Sequence, residues 1–232
     1  MKNCARSGLL LVDKPKQFTS HDIVHFVRKR FGFKKVGHAG TLDPMATGLL
    51  IILLGSFTKR SLAFSGLDKE YEAQLCMGLS TDSGDSDGKP LGEKCFDSNK
   101  YSAEDIRATF ESFLGQVSQI PPMYSAKKVN GKKLYELARR GITLKREPKA
   151  VFIRSLKILD MSLPLVTFYV KCSKGTYIRQ LAHDIGEKVG CGAHLTSLRR
   201  TRIGDFDVNK ALSFEALKSL AEKQPVDIEK YI

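Results

Sequence analysis

Apolar and polar positions along the chain predict short strands and helices in alternation. The apolar run from Leu9 to Val12 indicates a strand that Lys14-Pro15 ends. A helix then begins at Thr19 or Ser20, either of which can cap it, and ends at Gly32. Its apolar stripe recurs at helical spacing, at Ile23, Val24, Val27 and Phe31.

Strict alternation over residues 70–79 predicts a strand, with Tyr71 near its start on the apolar face. Ser102 can cap a helix that has Leu114 on its core face and ends at Gly115. Further strands are predicted over residues 49–54, 151–159, 165–172 and 192–203, and further helices from Leu134, Thr176 and Ser213. This pattern fits the α+β class of fold without specifying a topology.

Residues 37–48, between the first helix and the apolar run 49–54, form the most irregular stretch. Three glycines and one proline in twelve positions argue against a regular helix or a central strand. Asp43 is its only acid, and Leu42 and Met45 suggest a partly apolar floor on which a carboxylate could react with little competing water. The alternative is an ordinary turn, because Asp and Pro are common turn residues.

Composition indicates a partner of opposite charge. The 232-residue chain has a formal net charge of +13, which is typical of proteins that bind a polyanion. Its five cysteines are odd in number and form no C-x-x-C pair, which predicts free thiols in a reducing compartment. Since no apolar stretch is long enough for a membrane span and the start lacks a signal-peptide core, we expect a soluble cytoplasmic protein.

Positive charge is concentrated in one segment. Residues 121–150 carry nine Lys and Arg against two acids, whereas residues 71–120 carry four against nine. Tyr124 and Tyr135 lie among these cations, and aromatic rings among cations suit RNA bases and phosphates. An RNA-binding face is therefore indicated, and a solvated lysine-rich loop is the alternative.

Residue spacing argues against three other kinds of site. His21 and His25 have the spacing of a zinc pair, but Asp stands where that motif needs Glu and no third ligand is evident. The acidic stretch 81–88 does not place Gly and Glu as a calcium loop requires. Cys172 has no neighbouring His in sequence to activate it as a nucleophile.

Arg179 falls in the first turn of the helix that Thr176 is expected to cap, where the helix dipole disfavours a cation. A residue placed against local preference is often held by an acid of a functional site. A surface arginine is the alternative. For Tyr71, the residues alone favour a half-buried structural tyrosine.

Several motifs resemble those of the TruB family of tRNA pseudouridine synthases. The stretch 37–48 resembles the family signature G-H-x-G-x-L-D-P-x-A-T-G, in which the aspartate is catalytic. In family order, similar blocks occur at Gly8–Pro15, Lys69-Glu70-Tyr71, Ile120–Ala126, Cys172–Arg179 and Gly192–Arg200. The resemblance extends from about residue 8 to residue 204.

The resemblance implies the pseudouridine synthase fold, a mixed, mostly antiparallel central sheet flanked by helices, with the active site in a basic cleft. It implies isomerisation of uridine 55 in the tRNA T-loop to pseudouridine, with base flipping. Because nothing is oxidised or hydrolysed overall, no cofactor and no metal ion are expected. The expected partner is the T-arm stem-loop of tRNA, bound by a monomer without a membrane or an obligatory protein partner.

Residue roles follow from the same resemblance. Ionised Asp43 is expected to attack the sugar or the ring, or to assist glycal formation by electrostatics. Arg179 is expected to pair with Asp43 and keep its pKa low. Tyr71 is expected to pack on the target ring and is the candidate general base.

Further residues are expected to bind the substrate. Tyr177 and Leu198 would line the pocket, and His38 would brace the space that the flipped uridine leaves. The remaining substrate-binding candidates are Lys14, Lys59, Tyr124 and Lys127.

The expected organisation is a catalytic domain over residues 1–210, with an RNA-gripping insertion at about 121–150. A short helical tail, 211–232, would follow without the PUA domain found in many family members. Two alternatives remain: a synthase that works inside a guide-RNA complex, which activity on guide-free tRNA would exclude, and a non-catalytic RNA chaperone. Intact Asp43, Tyr71 and Arg179 argue against the chaperone.

Overall fold

The computed structural model describes residues 7–92, 96–97, 100–125, 127–129 and 131–222. Its strands are β1 (Gly8–Lys14), β2 (Val36–Ala39), β3 (Thr47–Leu54), β4 (Lys69–Met77), β5 (Ser80–Thr81), β6 (Pro90–Leu91), β7 (Gly115–Gln119), β8 (Lys128–Val129), β9 (Lys132–Lys133), β10 (Lys149–Ser162), β11 (Leu165–Cys172), β12 (Ala193–Ile203), β13 (Phe206–Asp207) and β14 (Leu212–Ser213). Its α-helices are α1 (Ser20–Phe31), α2 (Ser61–Ser65), α3 (Ala103–Glu111), α4 (Leu134–Ala138), α5 (Ile178–Val189) and α6 (Phe214–Glu222), with 3₁₀ turns at Gly55–Arg60 and Val208–Lys210.

The chain divides into two compact units, Met1–Glu70 with Arg199–Ile232, and Tyr71–Leu198. In the first unit, β3 pairs antiparallel with β1 along one edge. Its other edge pairs with β12 in parallel and with β2 antiparallel. Helices α1 and α6 pack on one face of this sheet, and α2 with the turn before it packs on the other. Because both faces are covered, β3 is apolar along its length rather than alternating.

The second unit contains a sheet in the order β4-β11-β10-β7. Strands β10 and β11 form an antiparallel hairpin, and β10 also pairs antiparallel with β7. Helix α3 packs on α5 and on β10, and its Phe110 meets Phe168 of β11 edge to face. The predicted alternation of β4 is confirmed, because Tyr71, Ala73, Leu75 and Met77 are all buried. The α+β class with a mixed, mostly antiparallel sheet flanked by helices is confirmed.

Local signals explain both ends of helix α1. Helix α1 begins after Thr19, whose hydroxyl accepts from the Asp22 amide while the Asp22 carboxylate accepts from the Thr19 amide. It ends at Gly32, which adopts the left-handed conformation with φ of 69°. Both ends agree with the predicted helix.

Three predictions need correction. Leu114 is 46% exposed, because α3 ends at Glu111 and Leu114 lies in the following turn. Thr176 does not cap α5: its hydroxyl donates to the carbonyl of Ser173, and Tyr177 occupies the N-cap position. The stretch 37–48 is irregular only in its middle, because its two ends pair as parts of β2 and β3.

The predicted boundary between a domain over 1–210 and a tail over 211–232 stays a prediction, and residues 223–232 lie outside the described part of the chain. Cys76 is a free thiol, and Cys172 and Cys191 are buried. Cys4 and Cys95 lie outside the described residues. Within the residues that the structure describes, no helix is both long and apolar enough to cross a membrane.

Candidate active site

The predicted site residues divide between the two units. Those in the first unit are Lys14, His38, Asp43 and Lys59. Those in the second unit are Tyr71, Tyr124, Lys127, Tyr177, Arg179 and Leu198.

Asp43 lies in the short loop between β2 and β3 and is half-buried. Its neighbours Leu42 and Met45 are 4% and 5% exposed, so the predicted apolar floor is present. The carbonyl of Asp43 also accepts from the amide of Ala46 at 3.1 Å, which closes a turn. The turn and the carboxylate on an apolar floor are therefore both present, because the turn is how the chain presents Asp43.

Helix α1 and the loop before it hold this turn in place. The buried hydroxyl of Ser20 accepts from the Leu42 amide at 2.8 Å and contacts the Leu42 carbonyl at 3.3 Å. The amide of Gln17, in the left-handed region with φ of 70°, donates to the carbonyl of Pro44 at 2.8 Å. Main-chain bonds on both sides thus fix the position of Asp43.

Arg200 supports the same loop from β12. Its side chain is buried, and its guanidinium donates to the carbonyls of Leu49, Thr41 and Gly40 at 2.8, 3.3 and 3.1 Å. Gly48, with φ of 103°, lies so close to the main chain of Arg200 that a Cβ atom would overlap it. A buried cation therefore ties the loop to the start of β3.

Lys14 is a second buried cation near Asp43. Its ammonium donates to the carbonyls of Pro15 and Phe18 at 2.8 and 2.7 Å. Burial lowers the pKa of Lys14 to about 8, Arg200 acts in the same direction, and the carboxylate of Asp43 opposes it. Lys14 is thus cationic at neutral pH, inside the protein and within electrostatic range of Asp43.

His38 and Lys59 differ in their surroundings. His38 is half-buried on β2, and burial followed by the charge of Arg200 lowers its pKa, so its ring is neutral at pH 7. Among the described residues, its buried Nδ1 has no hydrogen-bond partner. Lys59 is exposed in the turn Gly55–Arg60, where a phosphate could reach it.

In the second unit, Arg179 is 3% exposed in the first turn of α5. Its guanidinium donates to the carbonyls of Ser83 and Tyr124, both at 2.6 Å, and its Nε lies 3.6 Å from Oδ2 of Asp85. A surface arginine is excluded by this burial. The expected pairing of Arg179 with Asp43 stays a prediction.

Asp85 is itself held in a tight, buried turn. Its Oδ1 accepts from the hydroxyl of Ser83, and its carbonyl accepts from the hydroxyl of Thr81 at 2.7 Å. Gly84, with φ of 76°, lets this turn approach the main chain of Arg179. The sequence pattern predicts only an acidic loop around Asp85, and nothing near it in the sequence indicates its contact with Arg179.

The other predicted residues of this unit have mixed exposure. Tyr71 and Leu198 are 8% and 7% exposed, and Tyr177 and Lys127 are half-buried. Burial, then the nearby carboxylate of Asp82, raises the pKa of Tyr124, whose hydroxyl lies 3.4 Å from that carboxylate. The phenol of Tyr124 is therefore neutral at physiological pH.

A cavity of about 500 Å³ opens beside Arg179 within the second unit. Its lining includes Arg146, Arg179, His183, Tyr124 and Asp82. Cationic and aromatic groups that line one cavity suit a ligand that carries both a negative charge and a ring, such as a nucleotide.

The fold, the basic composition and a loop carboxylate held among buried cations together are those of a pseudouridine synthase. Family comparison agrees: the model for the TruB family pseudouridylate synthase (N terminal domain) matches residues 28–178, and that for the tRNA pseudouridylate synthase B C-terminal domain matches residues 179–232. The chain belongs to the TruB family.

Curated relatives are similar over most of the chain. The tRNA pseudouridine synthase B of Opitutus terrae is 46% identical over 213 residues, which cover 92% of this chain and 88% of that one. The protein of the same name in Clostridium tetani is 43% identical over 238 residues, which cover 97% of this chain and 82% of that one.

Solved structures match the same architecture. A Cbf5-Nop10-Gar1 complex has a chain with a TM-score of 0.71 and 28% identity, covering 93% of this chain and 54% of that one. A chain of an H/ACA RNP bound to a substrate RNA containing 2'-deoxyuridine has a TM-score of 0.68 and 26% identity. The match covers 97% of this chain and 56% of that one. The chain thus spans little more than half the length of these structural neighbours.

Proposed function

We propose that this protein isomerises uridine 55 in the T-loop of tRNA to pseudouridine. The observation that carries the proposal is the placement of Asp43, a half-buried acid on an apolar floor in a loop fixed by Ser20, Gln17 and Arg200. The names of the relatives, tRNA pseudouridine synthase B, support tRNA as the substrate.

The reaction needs little beyond a positioned carboxylate and a route for one proton. The N1–C1′ bond of the nucleotide breaks, the uracil turns, and a C5–C1′ bond forms. The hydrogen on C5 leaves as a proton and N1 gains one, so atoms and electrons balance without an oxidant, a cofactor or a metal. Asp43 supplies the carboxylate, either as a nucleophile or as an electrostatic partner of the developing sugar cation.

The second unit supplies the remaining groups of the proposal. Tyr71, buried at the start of β4, packs on the target ring and takes the C5 proton. Arg179 orients Asp43 and stabilises its charge, and it is itself held by Asp85 and two carbonyls. Tyr177 and Leu198 line the pocket for the uracil.

The RNA is bound by residues of both units in this proposal. Exposed Lys59 contacts a phosphate, Tyr124 and Lys127 contact the T-arm, and His38 braces the space left by the flipped base. We assign Lys14 to the support of its own loop, because its ammonium is bound to Pro15 and Phe18.

Tritium release from a T-arm stem-loop labelled with [5-³H]uridine tests the proposal. The wild type should release tritium without any guide RNA, and Asp43→Ala and Asp43→Asn should bind the RNA but release none. Tyr71→Phe should bind the RNA, but the transfer of the C5 proton should stall. If the wild type binds RNA tightly but releases nothing, the free-standing activity is refuted, and addition of a guide RNA then decides between a guide-dependent enzyme and a chaperone.

A further inference from the structure

Gln119, the last residue of β7, has a side chain paired with the main chain of a distant residue. It is 4% exposed, and its Nε2 donates to the carbonyl of Tyr177 at 3.1 Å while its Oε1 accepts from the Tyr177 amide at 2.8 Å. Only this orientation of the amide satisfies both groups. Its side chain thus makes the same pair of hydrogen bonds to the main chain of Tyr177 that a neighbouring β-strand would make.

The residue that Gln119 binds is the entry to helix α5. Tyr177 is the N-cap, in an extended conformation with φ of −100° and ψ of 110°, and its own side chain makes no capping bond. The direction in which a helix starts depends on how its cap residue is fixed. Here that fixation comes from Gln119, 58 residues earlier in the chain.

The segment after Gln119 contacts the first turn of α5 a second time. The chain passes through Pro121 and Pro122, whose rings restrict the backbone, and the carbonyl of Tyr124 accepts from Arg179 at 2.6 Å. A single short segment therefore binds the main chain of residue 177 and the side chain of residue 179.

We infer that Gln119 is a positioning residue that sets the orientation of Tyr177 and Arg179 for catalysis, an inference that rests on the proposed function. It acts through the main chain of Tyr177 and has no contact with substrate in this role. Loss of its two hydrogen bonds should let the start of α5 shift. A shift of even a fraction of an ångström at reacting groups slows chemistry more than it weakens RNA binding spread over many contacts.

Two substitutions separate this role from general stability. Gln119→Met keeps the length of the side chain but can neither donate nor accept. Gln119→Glu keeps an acceptor for the Tyr177 amide and loses the donor for the Tyr177 carbonyl. Gln116→Met and Gln116→Glu are the matched controls, because Gln116 is exposed on the same strand.

The measurements are the single-turnover rate of tritium release at saturating enzyme, the Kd for the T-arm stem-loop and the thermal unfolding midpoint. Both Gln119 variants should lose roughly tenfold or more in rate, with Kd changed by less than about twofold. Both Gln116 variants should match the wild type. Combined with Arg179→Lys, Gln119→Met should add much less than its single effect, because both act through the same turn.

The outcomes are distinct. Should Gln119→Met fail to fold, Gln119→Glu decides by the same readouts. Rates equal to those of the Gln116 variants, or a loss confined to Kd, would overturn the positioning role while the proposed function stands. A wild type that releases no tritium would instead refute the proposed function, and with it this role.

Discussion

Arg200 illustrates how a buried cation can organise a loop that holds a candidate catalytic acid. Its guanidinium is planar and presents several donors in fixed directions, so it can bind the carbonyls of Leu49, Thr41 and Gly40 at once. Hydrogen bonds from a charged donor are stronger than those between neutral groups. The loop that carries Asp43 is thus held at both ends by one side chain.

Arg200→Lys tests this support. A lysine keeps the charge but has a single ammonium, which cannot reach three carbonyls in this geometry. We expect the free energy of unfolding to fall by about 2–4 kcal/mol, because buried acceptors lose their donor. The single-turnover rate should fall with it, since Asp43 is less well fixed. Urea unfolding and tritium release measure the two effects.

The matched control is Arg202→Lys, on the same strand. Arg202 forms a 2.9 Å ion pair with Asp207 and its side chain is 39% exposed, so its replacement should cost less than about 1 kcal/mol. Equal stability and equal rates in the two variants would contradict a special role for Arg200.

At this scale, the sequence predicts the surroundings of Asp43 better than the residues that support its loop. The family signature singles out Asp43 as the candidate acid, and Leu42 and Met45 beside it predict the apolar floor that the structure shows. Ser20 and Arg200 lie 22 and about 160 residues from the atoms that they bind, and nothing in their own neighbourhood indicates those contacts. Only the resemblance of the block Leu198–Arg200 placed Arg200 near a family motif at all.

Among elements, the contact between β3 and β12 depends on a glycine. Gly48 pairs with Arg200 in the parallel register of the two strands. Its φ of 103° is unfavourable for any residue with a side chain, and a Cβ atom would collide with the carbonyl of Arg200. Strand β3 can therefore approach β12 only where it has no side chain.

Gly48→Ala should cost about 3 kcal/mol or more in the free energy of unfolding, because backbone strain and a clash with main-chain atoms add. Gly32→Ala is the control, since Gly32 also has positive φ but a Cβ atom there meets nothing within 4 Å. Its cost should be about 1 kcal/mol. Denaturant unfolding of both proteins checks the difference, and similar costs would show that the clash relaxes cheaply.

The ends of a helix could be predicted where several local signals agree. They could not be predicted where a single capping residue was the only signal. Helix α1 has an apolar stripe, a capping residue and a terminal glycine that agree, so its boundaries follow from the sequence. For α5, Thr176 carried the expected capping chemistry, but its hydroxyl binds Ser173 and the buried amide of Gln119 fixes the helix entry instead. A competing tertiary contact decided the boundary.

Over the whole molecule, the formal net charge of +13 is larger than the positive charge on the surface that a polyanion could contact. Four cations are buried in the described part of the chain, Lys14, Lys69, Arg179 and Arg200, against one buried acid, Asp85. The charged groups of all four donate to main-chain carbonyls. The resemblance implies that Lys14 binds the substrate, and this stays a prediction for a lysine whose ammonium donates to the carbonyls of Pro15 and Phe18.

Burial of Lys14 predicts how the stability of the whole protein depends on pH. The pKa of Lys14 is lowered from 10.5 to about 8 in the folded protein, mainly by burial. Between these two values the unfolded chain binds more protons than the folded one, so the contribution of Lys14 to stability rises with pH across this window. It is constant below the window, where burial of the charge is fully unfavourable, and constant above it.

Lys14→Met removes this titration, so the difference in unfolding free energy between wild type and variant should grow by about 1 kcal/mol per pH unit near pH 9. Urea unfolding of both proteins from pH 7 to pH 10 measures it, and other groups that titrate there cancel in the difference. Lys35→Met removes an exposed positive charge and should give a curve parallel to the wild type. A Lys14→Met curve that is also parallel would mean that the ammonium is hydrated in solution and that the loop beside Asp43 is more open than its hydrogen bonds indicate.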